Sequence, residues 1–513
     1  MHLSTLAAAH GDKPAVIMGG TGATTSYREL EDRSNRIAQL FRRRGLRPGD
    51  HVAILLRNQA EVFPVIWGAQ RAGLLHTSVN WHLSAAEAAY IVADCGARML
   101  ISAADLEDIA APAAASPTLE SRVTVGRVEG QESLDEAVAD LPATPIEDEV
   151  EGGYMWYSSG TTGRPKGILP QLSGAPFGTG NALDQRLGQA FGFGPDTVYL
   201  CPGPLYHAAP LAWSIGTIRN GGTVVVMERF DARAALELIG RHRTTHGQFV
   251  PTMFVRMLKL DEAERAVFDL SSMRMAIHAA APCPVDVKQK MIDWWGPVLL
   301  EYYAGSEGNG MCLIDSATWL QRRGSVGLPV NCEVHICDAE GEELGANEVG
   351  TVWFAAEGVG FTYHNDPDKT AAAYNDRGWS TLGDLGHVDE DGFLYLSDRR
   401  ADLIISGGVN IYPREVEDVL VLHPAVADVA VIGLPDEEMG QRVHAVVQPA
   451  DPGADHAALA EELRTFARER IAHFKAPTSV SIEAEFPRLP SGKVLRRVLM
   501  DRMTAQATTG GPG

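Results

Sequence analysis

The stretch "YSSGTTGRPKG", Tyr157 to Gly167, decides most about how this chain folds and what it binds. Its glycines lack a Cβ atom, so the backbone can turn sharply and approach a ligand closely. Its hydroxyls and Lys166 supply hydrogen-bond donors and a cation, which together suit a phosphate group. A flexible surface loop is the alternative, because Gly, Ser and Thr also build linkers. The apolar "YMW" before the stretch and the stiff "RPK" at its exit favour a phosphate-binding loop, although Lys166 is followed by Gly and the spacing is not that of a Walker loop.

Length, composition and charge limit the fold and the partners. A chain of 513 residues exceeds the ~250–300 residues at which single cores stop growing, so two or more domains are expected. With 45% apolar and 21% charged residues, most of the chain is expected to fold. A net charge of −22 would repel a nucleic-acid backbone, so we expect no DNA or RNA partner. A small nucleotide is still allowed, because Mg²⁺ and backbone N–H groups act locally.

The cysteines and the apolar runs predict where the protein resides. Six scattered cysteines and the lack of a secretory signal pattern at the start predict a reducing cytoplasm. No apolar run approaches the ~20 residues of a membrane span, so no transmembrane segment is expected. The segment "CEVHIC" holds Cys332, His335 and Cys337, an incomplete zinc set that alternates like a strand, so a structural role is favoured.

The order of strand and helix patterns predicts an α/β fold. Helical spacing in "TSYRELEDRSNRIAQLFRRRG" is followed by the buried strand "DHVAILL" and a further helix, which favours doubly wound, largely parallel sheets. From about Gly324, short β-rich runs predict a β subdomain, and a small α/β unit follows near Arg399–Asp402. The predicted organisation is a large N-terminal domain over 1–398, a hinge at 399–402, a small C-terminal domain over 403–503 and a disordered tail over 504–513.

The opening stretch resembles the signature loop of the adenylate-forming superfamily, which includes acyl-CoA synthetases, adenylation domains of peptide synthetases and beetle luciferase. Other segments resemble the pattern of this family in the right order along nearly the whole chain. They are "EYYAGSEG" (301–308), "GWSTLGDLG" (378–386), "DRRADLIISGGVNIYPREVE" (398–417) and "PRLPSGKVLRR" (487–497). Together they make a chance match implausible.

The resemblance implies a nucleotide site with named contacts. Tyr303 would stack on adenine, Ser306 would donate to the α-phosphate, Glu307 would hold Mg²⁺, Asp384 would bind the ribose hydroxyls, and Arg399 would reach the ribose or phosphate. An aromatic face suits a purine, and a carboxylate suits a hard cation. The other residues implied in nucleotide binding are Ser158, Ser159, Gly160, Thr161, Thr162, Gly163, Lys166, Ala280, Ala281 and Pro282.

The same resemblance implies a catalytic group and a mobile domain. Lys493 would act with Thr162, Glu307 and Lys166 in catalysis, because a flexible ammonium can offset charge that builds in the transition state. The small C-terminal domain would rotate between two steps, so that Gly407 and Gly408 line the narrow tunnel for coenzyme A. Three positions depart from the family pattern. Ala304 stands for the usual Gly, Ser306 keeps the hydroxyl of the usual Thr, and Ala401 stands where the hinge usually has Asp or Lys.

Two segments resemble the part of the family that lines the acid pocket. "PLYHAAPL" supplies Tyr206 and His207, and "HAAAPCP" supplies His278 and Ala279. A lone histidine on an apolar stretch is also typical of a core residue. The small side chains of both segments favour a fatty or alicyclic acid over a compact aromatic one.

The predicted function is therefore that of an acid–thiol ligase. A carboxylic acid would attack Mg·ATP to form an acyl-adenylate, and coenzyme A would then displace AMP, as in fatty acid metabolism. The alternatives are a stand-alone amide ligase that passes the adenylate to an amine and, from another class, a non-catalytic nucleotide-binding protein. A homodimer is compatible with the sequence.

Overall fold

A computed structural model describes residues 1–158, 165–170, 172–356, 360–399, 402–406, 409–436, 439–488 and 494–509. The first strands are β1 (Pro14–Met18), β2 (Thr24–Ser26), β3 (His51–Leu55), β4 (Leu75–Ser78), β5 (Met99–Ala103), β6 (Ser121–Val125), β7 (Gly153–Tyr154), β8 (Trp156–Ser158), β9 (Lys166–Leu169), β10 (Val198–Cys201), β11 (Thr223–Val226), β12 (His246–Phe249) and β13 (Met275–His278). The later strands are β14 (Leu299–Ala304), β15 (Met311–Asp315), β16 (Leu328–Pro329), β17 (Glu333–Cys337), β18 (Gly350–Ala355), β19 (Thr362–Tyr363), β20 (Asp384–Val388), β21 (Leu394–Arg399), β22 (Ile404–Ser406), β23 (Val409–Ile411), β24 (Val426–Asp436), β25 (Gly440–Pro449) and β26 (Ser479–Ile482).

The helices alternate with these strands over most of the chain. They are α1 (Leu3–His10), α2 (Tyr27–Arg43), α3 (Val62–Arg71), α4 (Ala85–Asp94), α5 (Glu107–Ala113), α6 (Leu134–Val138), α7 (Ala182–Ala190), α8 (Ala208–Arg219), α9 (Ala232–His242), α10 (Pro251–Leu258), α11 (Glu262–Arg265), α12 (Val285–Trp295), α13 (Ser316–Gln321), α14 (Pro367–Ala372), α15 (Pro413–Leu420), α16 (His456–Arg468) and α17 (Arg496–Thr509), with a 3₁₀ helix at Ala104–Leu106. None of the helices in the described part of the chain has both the length and the apolar character that a membrane crossing requires.

The predicted helix and strand near the N-terminus are confirmed as α2 and β3. Ser26 and Glu29 form a reciprocal capping box that satisfies free backbone N–H groups where α2 begins. Leu30, Ile37 and Phe41 recur at helical spacing along α2 and are fully buried. Every residue of β3 is buried, as expected for a strand covered on both faces.

Two large sheets carry the N-terminal part of the chain. The nine-stranded sheet has the order β16-β15-β14-β13-β12-β10-β11-β1-β2, with parallel pairing from β14 to β1 and antiparallel pairing at both edges. The five-stranded sheet, β6-β5-β3-β4-β7, is parallel throughout. Helices connect these parallel strands, which confirms the predicted doubly wound α/β class.

Smaller sheets complete the fold. A three-stranded sheet, β19-β9-β8, carries the strands on either side of the glycine-rich stretch. The predicted β subdomain is the four-stranded antiparallel sheet β17-β18-β20-β21, and all of "CEVHIC" except Cys332 forms β17. The C-terminal unit pairs β23-β22-β25-β24 with β26 on β25, as the predicted small α/β domain. The numbered domain boundaries stay a prediction, because residues 400 and 401 of the proposed hinge lie outside the described residues.

The C-terminal helix extends into the segment that is predicted to be a disordered tail. Helix α17 ends at Thr509, so it extends into the stretch 504–513 that the sequence analysis assigns to disorder. Leu499 and Met503 explain this, because both are buried against Ile432 and Val446 of the C-terminal sheet and hold the helix on the domain. Residues 510–513 lie outside the described residues.

Candidate active site

Three loops that carry predicted site residues leave the same edge of the nine-stranded sheet. One loop, with Tyr206 and His207, follows β10; another, with Ala279 to Pro282, follows β13; the third, with Ser306 and Glu307, follows β14. These strands run parallel in the sheet, so their carboxyl ends lie together at the edge where open α/β sheets bind ligands.

Tyr303 and Asp384 are joined by a direct hydrogen bond. The Tyr303 hydroxyl donates to Asp384 Oδ2 at 2.6 Å, which links β14 of the large sheet to β20 of the β subdomain. Asp384 is 9% exposed, and the Tyr303 ring packs 5.8 Å from the ring of Phe354. An aromatic face beside a carboxylate is the pair of groups that an adenosine needs for its base and its ribose hydroxyls. The individual contacts of both residues with a nucleotide stay predictions.

Lys166 and Glu307 both contact Tyr363. Lys166 begins β9, and its Nζ lies 5.1 Å from the centre of the Tyr363 ring. The Tyr363 hydroxyl donates to Glu307 Oε1 at 2.9 Å. Burial and the neighbouring Lys369 lower the pKa of Lys166 to about 8, although Glu307 and Asp366 act in the opposite direction. The sequence analysis missed Tyr363 and Lys369, which lie about two hundred residues from the loop and match no part of the motifs.

Gly167 is closely surrounded by side chains of the strands before it. A Cβ atom at this position would come within 2.4 Å of Met155 Cε and 3.1 Å of the Tyr157 hydroxyl oxygen. The chain therefore returns from the glycine-rich stretch close against the strand that leads into it.

Glu307 fits the predicted contact with Mg²⁺. Mg²⁺ is commonly held by one or two carboxylates together with substrate phosphates and water, so one partly exposed carboxylate meets its needs beside a nucleotide. The hydrogen bond from Tyr363 orients this carboxylate. Throughout the described ranges, Glu307 included, no group of three or more His, Cys, Asp and Glu side chains forms a cluster that could hold a metal ion.

An aromatic group surrounds the predicted acid-pocket residue Tyr206. Its ring centre lies 4.5 Å from that of His207, 6.2 Å from that of Trp81 and 6.3 Å from that of His82. Tyr206 is buried, which raises the pKa of its hydroxyl and keeps it neutral. The sequence analysis missed Trp81 and His82, because they follow β4 of the other large sheet.

The predicted site residues in the loop that follows β13 differ in their exposure. Ala279 is buried, Ala280 has a left-handed backbone with φ 72°, and Ala281 and Pro282 are exposed. Left-handed backbone is costly for a residue with a Cβ atom, and such strain clusters at ligand sites.

The His278 side chain lies in the core beneath this loop. Its Nε2 is 3.7 Å from Glu301 Oε2, and Glu301 accepts a hydrogen bond from Lys288 Nζ at 2.6 Å. Complete burial and the charge of Lys288 lower the pKa of His278, so its ring is neutral. These contacts do not support its predicted place in the acid pocket.

Several predicted residues lie outside the described residues. They are Ser159, Gly160, Thr161, Thr162, Gly163, Ala401, Gly407, Gly408 and Lys493. The backbone is described for two others: Ser158 pairs with Lys166 between β8 and β9, and Arg399 pairs with Asp384 between β20 and β21. The roles predicted for all of these side chains stay predictions.

Two protein-family models together match most of the chain. The model of the AMP-binding enzyme matches residues 3–364, and the model of the AMP-binding enzyme C-terminal domain matches residues 415–493. A feruloyl-CoA synthase from Amycolatopsis is 34% identical over 485 residues, which are 94% of this chain and 94% of that protein. The long-chain-fatty-acid–CoA ligase FadD13 of Mycobacterium tuberculosis is 30% identical over 498 residues, which are 96% of this chain and 95% of that protein.

Solved structures share the fold over nearly the whole length. ATP-bound MatB from Rhodopseudomonas palustris is 28% identical with a TM-score of 0.79, covering 98% of this chain and 99% of that chain. The amide bond synthetase McbA from Marinactinospora thermotolerans is 26% identical with a TM-score of 0.79, covering 98% of this chain and 100% of that chain.

Proposed function

The chain belongs to the AMP-binding enzyme family and is an AMP-forming acid–thiol ligase, and from that premise we propose that it activates a hydrophobic acid, fatty or alicyclic. The resemblance to the adenylate-forming superfamily is thereby confirmed. The reaction proceeds through an acyl-adenylate, and we propose coenzyme A as the acceptor that displaces AMP. Mg²⁺, a cytoplasmic location and a homodimer belong to the same proposal.

The mechanism follows from the groups around the sheet edge. Tyr303 and Asp384 hold the adenosine, while Lys166 and the hydroxyls of the glycine-rich stretch hold the phosphates. A carboxylate oxygen of the acid attacks the α-phosphorus, the bond to the bridging oxygen breaks, and pyrophosphate leaves with that electron pair. Mg²⁺ held by Glu307 would neutralise phosphate charge when bound. In this mechanism, Lys493 offsets the charge that builds on the α-phosphate.

The aromatic group around Tyr206 carries the proposal of a hydrophobic acid. Tyr206 and Trp81 meet edge to face beside the small residues Ala208 and Ala209 that begin α8. Arg57 lies 4.5 Å above the Trp81 ring, but its guanidinium is paired with Asp105 Oδ2 at 2.5 Å. A charged acyl end would gain most from a cation that has no ion-pair partner, and Arg57 is already paired with Asp105. The aromatic group is therefore suited to an apolar acyl chain.

A panel of acids tests this proposal. Pyrophosphate release from MgATP would be measured with octanoic, dodecanoic, cyclohexanecarboxylic, ferulic and anthranilic acids, and the CoA thioester would be detected by mass. We expect kcat/KM for the best aliphatic acid to exceed that for the aromatic acids by about tenfold or more, a pocket effect of 1–3 kcal/mol. The opposite order would overturn the substrate class while leaving the ligase activity intact.

A substitution at Trp81 tests separately whether the aromatic group lines the acid pocket. Trp81→Leu should raise KM for the preferred acid severalfold and leave KM for MgATP unchanged, because the change lies on the acyl side of the site. An equal rise in both constants would mean that Trp81 supports the fold rather than the acid.

Transfer to an amine is the second candidate, and the likeness to the amide bond synthetase McbA favours keeping it. The discriminating arm of the experiment supplies amines in place of coenzyme A. A thioester without amide supports the proposal. An amide formed faster than the thioester would make this chain an amide ligase.

A further inference from the structure

The loop that carries Tyr206 is clamped to the five-stranded sheet. Asn58, which follows β3, is buried, and its Nδ2 donates to Gly203 O at 3.0 Å and to Met227 O at 2.8 Å. Its Oδ1 accepts from Leu205 N at 2.8 Å. These bonds hold the loop against the carboxyl end of β3, and β4 lies beside β3 in the same sheet.

Two polar atoms at the end of β4 are buried without a hydrogen-bond partner. Ser78 is the last residue of β4, and Trp81 follows three residues later. The Ser78 Oγ and Trp81 Nε1 atoms are both shielded from solvent, and neither has a hydrogen-bond partner within the described part of the chain. A buried donor without a partner costs free energy, which a bound molecule with an acceptor atom recovers.

The ring contacts of Trp81 place it at the proposed acid pocket. Its ring centre lies 6.2 Å from that of Tyr206, with the two planes at 82°, and 3.5 Å from that of His82. The Arg57 guanidinium lies 4.5 Å from the same ring centre. These contacts involve the indole ring, and its N–H stays without an acceptor.

The groups around Trp81 favour an uncharged acceptor. Arg57 donates to Asp105 Oδ2 at 2.5 Å, so its charge is already balanced. Burial and the charge of Arg57 lower the pKa of His82, which keeps that ring neutral at pH 7. A second carboxylate on the substrate would lose its water without gaining a cation from these groups, whereas a ketone or ether oxygen has far less hydration to lose.

We propose that the Trp81 indole N–H is a specificity-determining donor to an uncharged oxygen in the acyl part of the substrate acid, with the Ser78 hydroxyl as a second donor. The substrate is then a hydrophobic acid that carries a ketone, ether or hydroxyl oxygen along its chain, a statement that rests on the proposed function because it takes the acid to bind beside Tyr206. An acid without such an oxygen leaves the donors unpaired and binds more weakly.

A buried water molecule is the competing explanation. Water bound to Trp81 and Ser78 would satisfy the same donors in the free protein and in every complex. The site would then select the acyl part by size, and an oxygen along the chain would weaken binding, because it loses hydration without gaining a hydrogen bond. The two explanations therefore predict opposite preferences between matched acyl chains.

Calorimetric binding of acyl-adenylate analogues to the full chain tests the proposal without turnover. The probes are acylsulfamoyl adenosines, in which a stable sulfamate replaces the phosphate. Their acyl chains are decanoyl, decanoyl with one ketone near the middle or near the far end, and decanoyl ending in a carboxylate.

The variants separate the donor from the ring that carries it. Trp81→Phe keeps an aromatic ring and removes the N–H, and Ser78→Ala removes the hydroxyl. Trp294→Phe is the matched control, because Trp294 lies on α12, where its ring contacts Arg265 and Trp295.

Wild type should bind one of the ketone chains about tenfold more tightly than plain decanoyl, the gain from a hydrogen bond to a buried donor. That ratio should fall to about one in Trp81→Phe, fall less in Ser78→Ala and stay at the wild-type value in Trp294→Phe. The chain that ends in a carboxylate should bind more weakly than plain decanoyl.

Three results would overturn the proposal: plain decanoyl binding more tightly than both ketone chains, a ratio that Trp81→Phe leaves unchanged, or tightest binding of the chain that ends in a carboxylate. Wild-type protein that binds these analogues yet forms no thioester from any acid, MgATP and coenzyme A would instead contradict the proposed function. The two failures are therefore distinguishable.

Discussion

The hydroxyl of Tyr303 decides how firmly Asp384 is oriented. Tyr303→Phe keeps the aromatic ring for adenine but removes the donor 2.6 Å from Asp384 Oδ2. We expect KM for MgATP to rise about tenfold and kcat to change little, since the loss of one hydrogen bond to a largely buried carboxylate costs about 1–3 kcal/mol.

Tyr395→Phe is the matched control for this change. Tyr395 lies in the β subdomain that also holds Asp384, and it donates to Asp389 Oδ2 at 3.4 Å, a longer tyrosine–aspartate pair. Steady-state kinetics with varied MgATP and saturating acid would separate the two variants. Similar KM values for both would show that the Tyr303 hydroxyl is not needed by the nucleotide.

The ammonium of Lys166 should titrate near pH 8 in the ligand-free protein. Its pKa is lowered by burial first and by Lys369 next. Below about pH 8 the group is charged, and above it the amine becomes neutral and reactive. Competitive labelling with acetic anhydride across pH 6–11 would measure this. Lys369→Met should move the Lys166 midpoint upward, because one cause of the lowering is removed; a wild-type midpoint near the ~10.4 of a lysine in a model peptide would contradict the environment described.

At the scale of elements, the three-stranded sheet that carries Lys166 is tied to α4 through Asp94. Tyr157 of β8 donates to Asp94 Oδ2 at 2.6 Å, and Asn365, just after β19, donates to Oδ1 at 3.3 Å. The ring of His364 lies 2.9 Å from the Asp94 carbonyl oxygen. Asp94 therefore connects both edge strands, with β9 between them, to the layer of the five-stranded sheet.

Removing this anchor should loosen the site before it unfolds the protein. We expect Asp94→Ala to lower kcat/KM for MgATP about tenfold, because the partly buried Tyr157 hydroxyl loses its acceptor and β9 shifts. Asp94→Asn keeps one acceptor oxygen and should lose less, while Asp108→Ala, an exposed acid on α5, should behave as wild type. A melting temperature that falls by many degrees with unchanged kinetics at low temperature would assign Asp94 to stability alone.

The same elements show what the sequence could predict. Helix α2 and strand β3 follow from local periodicity, and the strand ends that carry Tyr206, Ala279 and Glu307 follow from matched motifs. Tyr363 and Lys369 do not, because their position depends on the pairing of β19 with β9 across about two hundred residues. The resemblance of its segment places His278 in the acid pocket, whereas its side chain is fully buried beside Glu301, a position that the motif alone does not reveal.

At the scale of the molecule, the proposed rotation of the C-terminal domain separates two half-reactions. In this proposal, Lys493 serves only adenylate formation, so Lys493→Ala should reduce acid-dependent exchange of pyrophosphate into ATP at least a hundredfold, as expected for lost transition-state charge stabilisation. The same variant should convert a synthetic acyl-adenylate and coenzyme A to thioester at close to the wild-type rate. Equal loss in both assays would mean that the two steps share one domain arrangement.

The whole fold should also lose stability in mild acid, because it buries neutral histidines. Burial lowers the pKa of His51, His246 and His444 to about 4 and that of His76 to about 3. The unfolded chain protonates first, near pH 6.5, so stability is present above that pH and is lost as pH falls toward 4. Each histidine contributes about 1.4 kcal/mol per pH unit in that window.

A substitution at His444 tests whether a buried histidine causes this loss of stability in the C-terminal domain. Its Nδ1 lies 2.7 Å from the Ser479 hydroxyl, between β25 and β26 of the C-terminal sheet. Urea midpoints at pH 7 and pH 5 should differ less for His444→Gln than for wild type, because glutamine keeps a polar partner but takes up no proton. His473→Gln, an exposed histidine of the same domain, should keep the full wild-type difference. An unchanged pH dependence in His444→Gln would mean that acid acts on other groups, since a buried neutral histidine cannot be removed without lowering the proton uptake on unfolding.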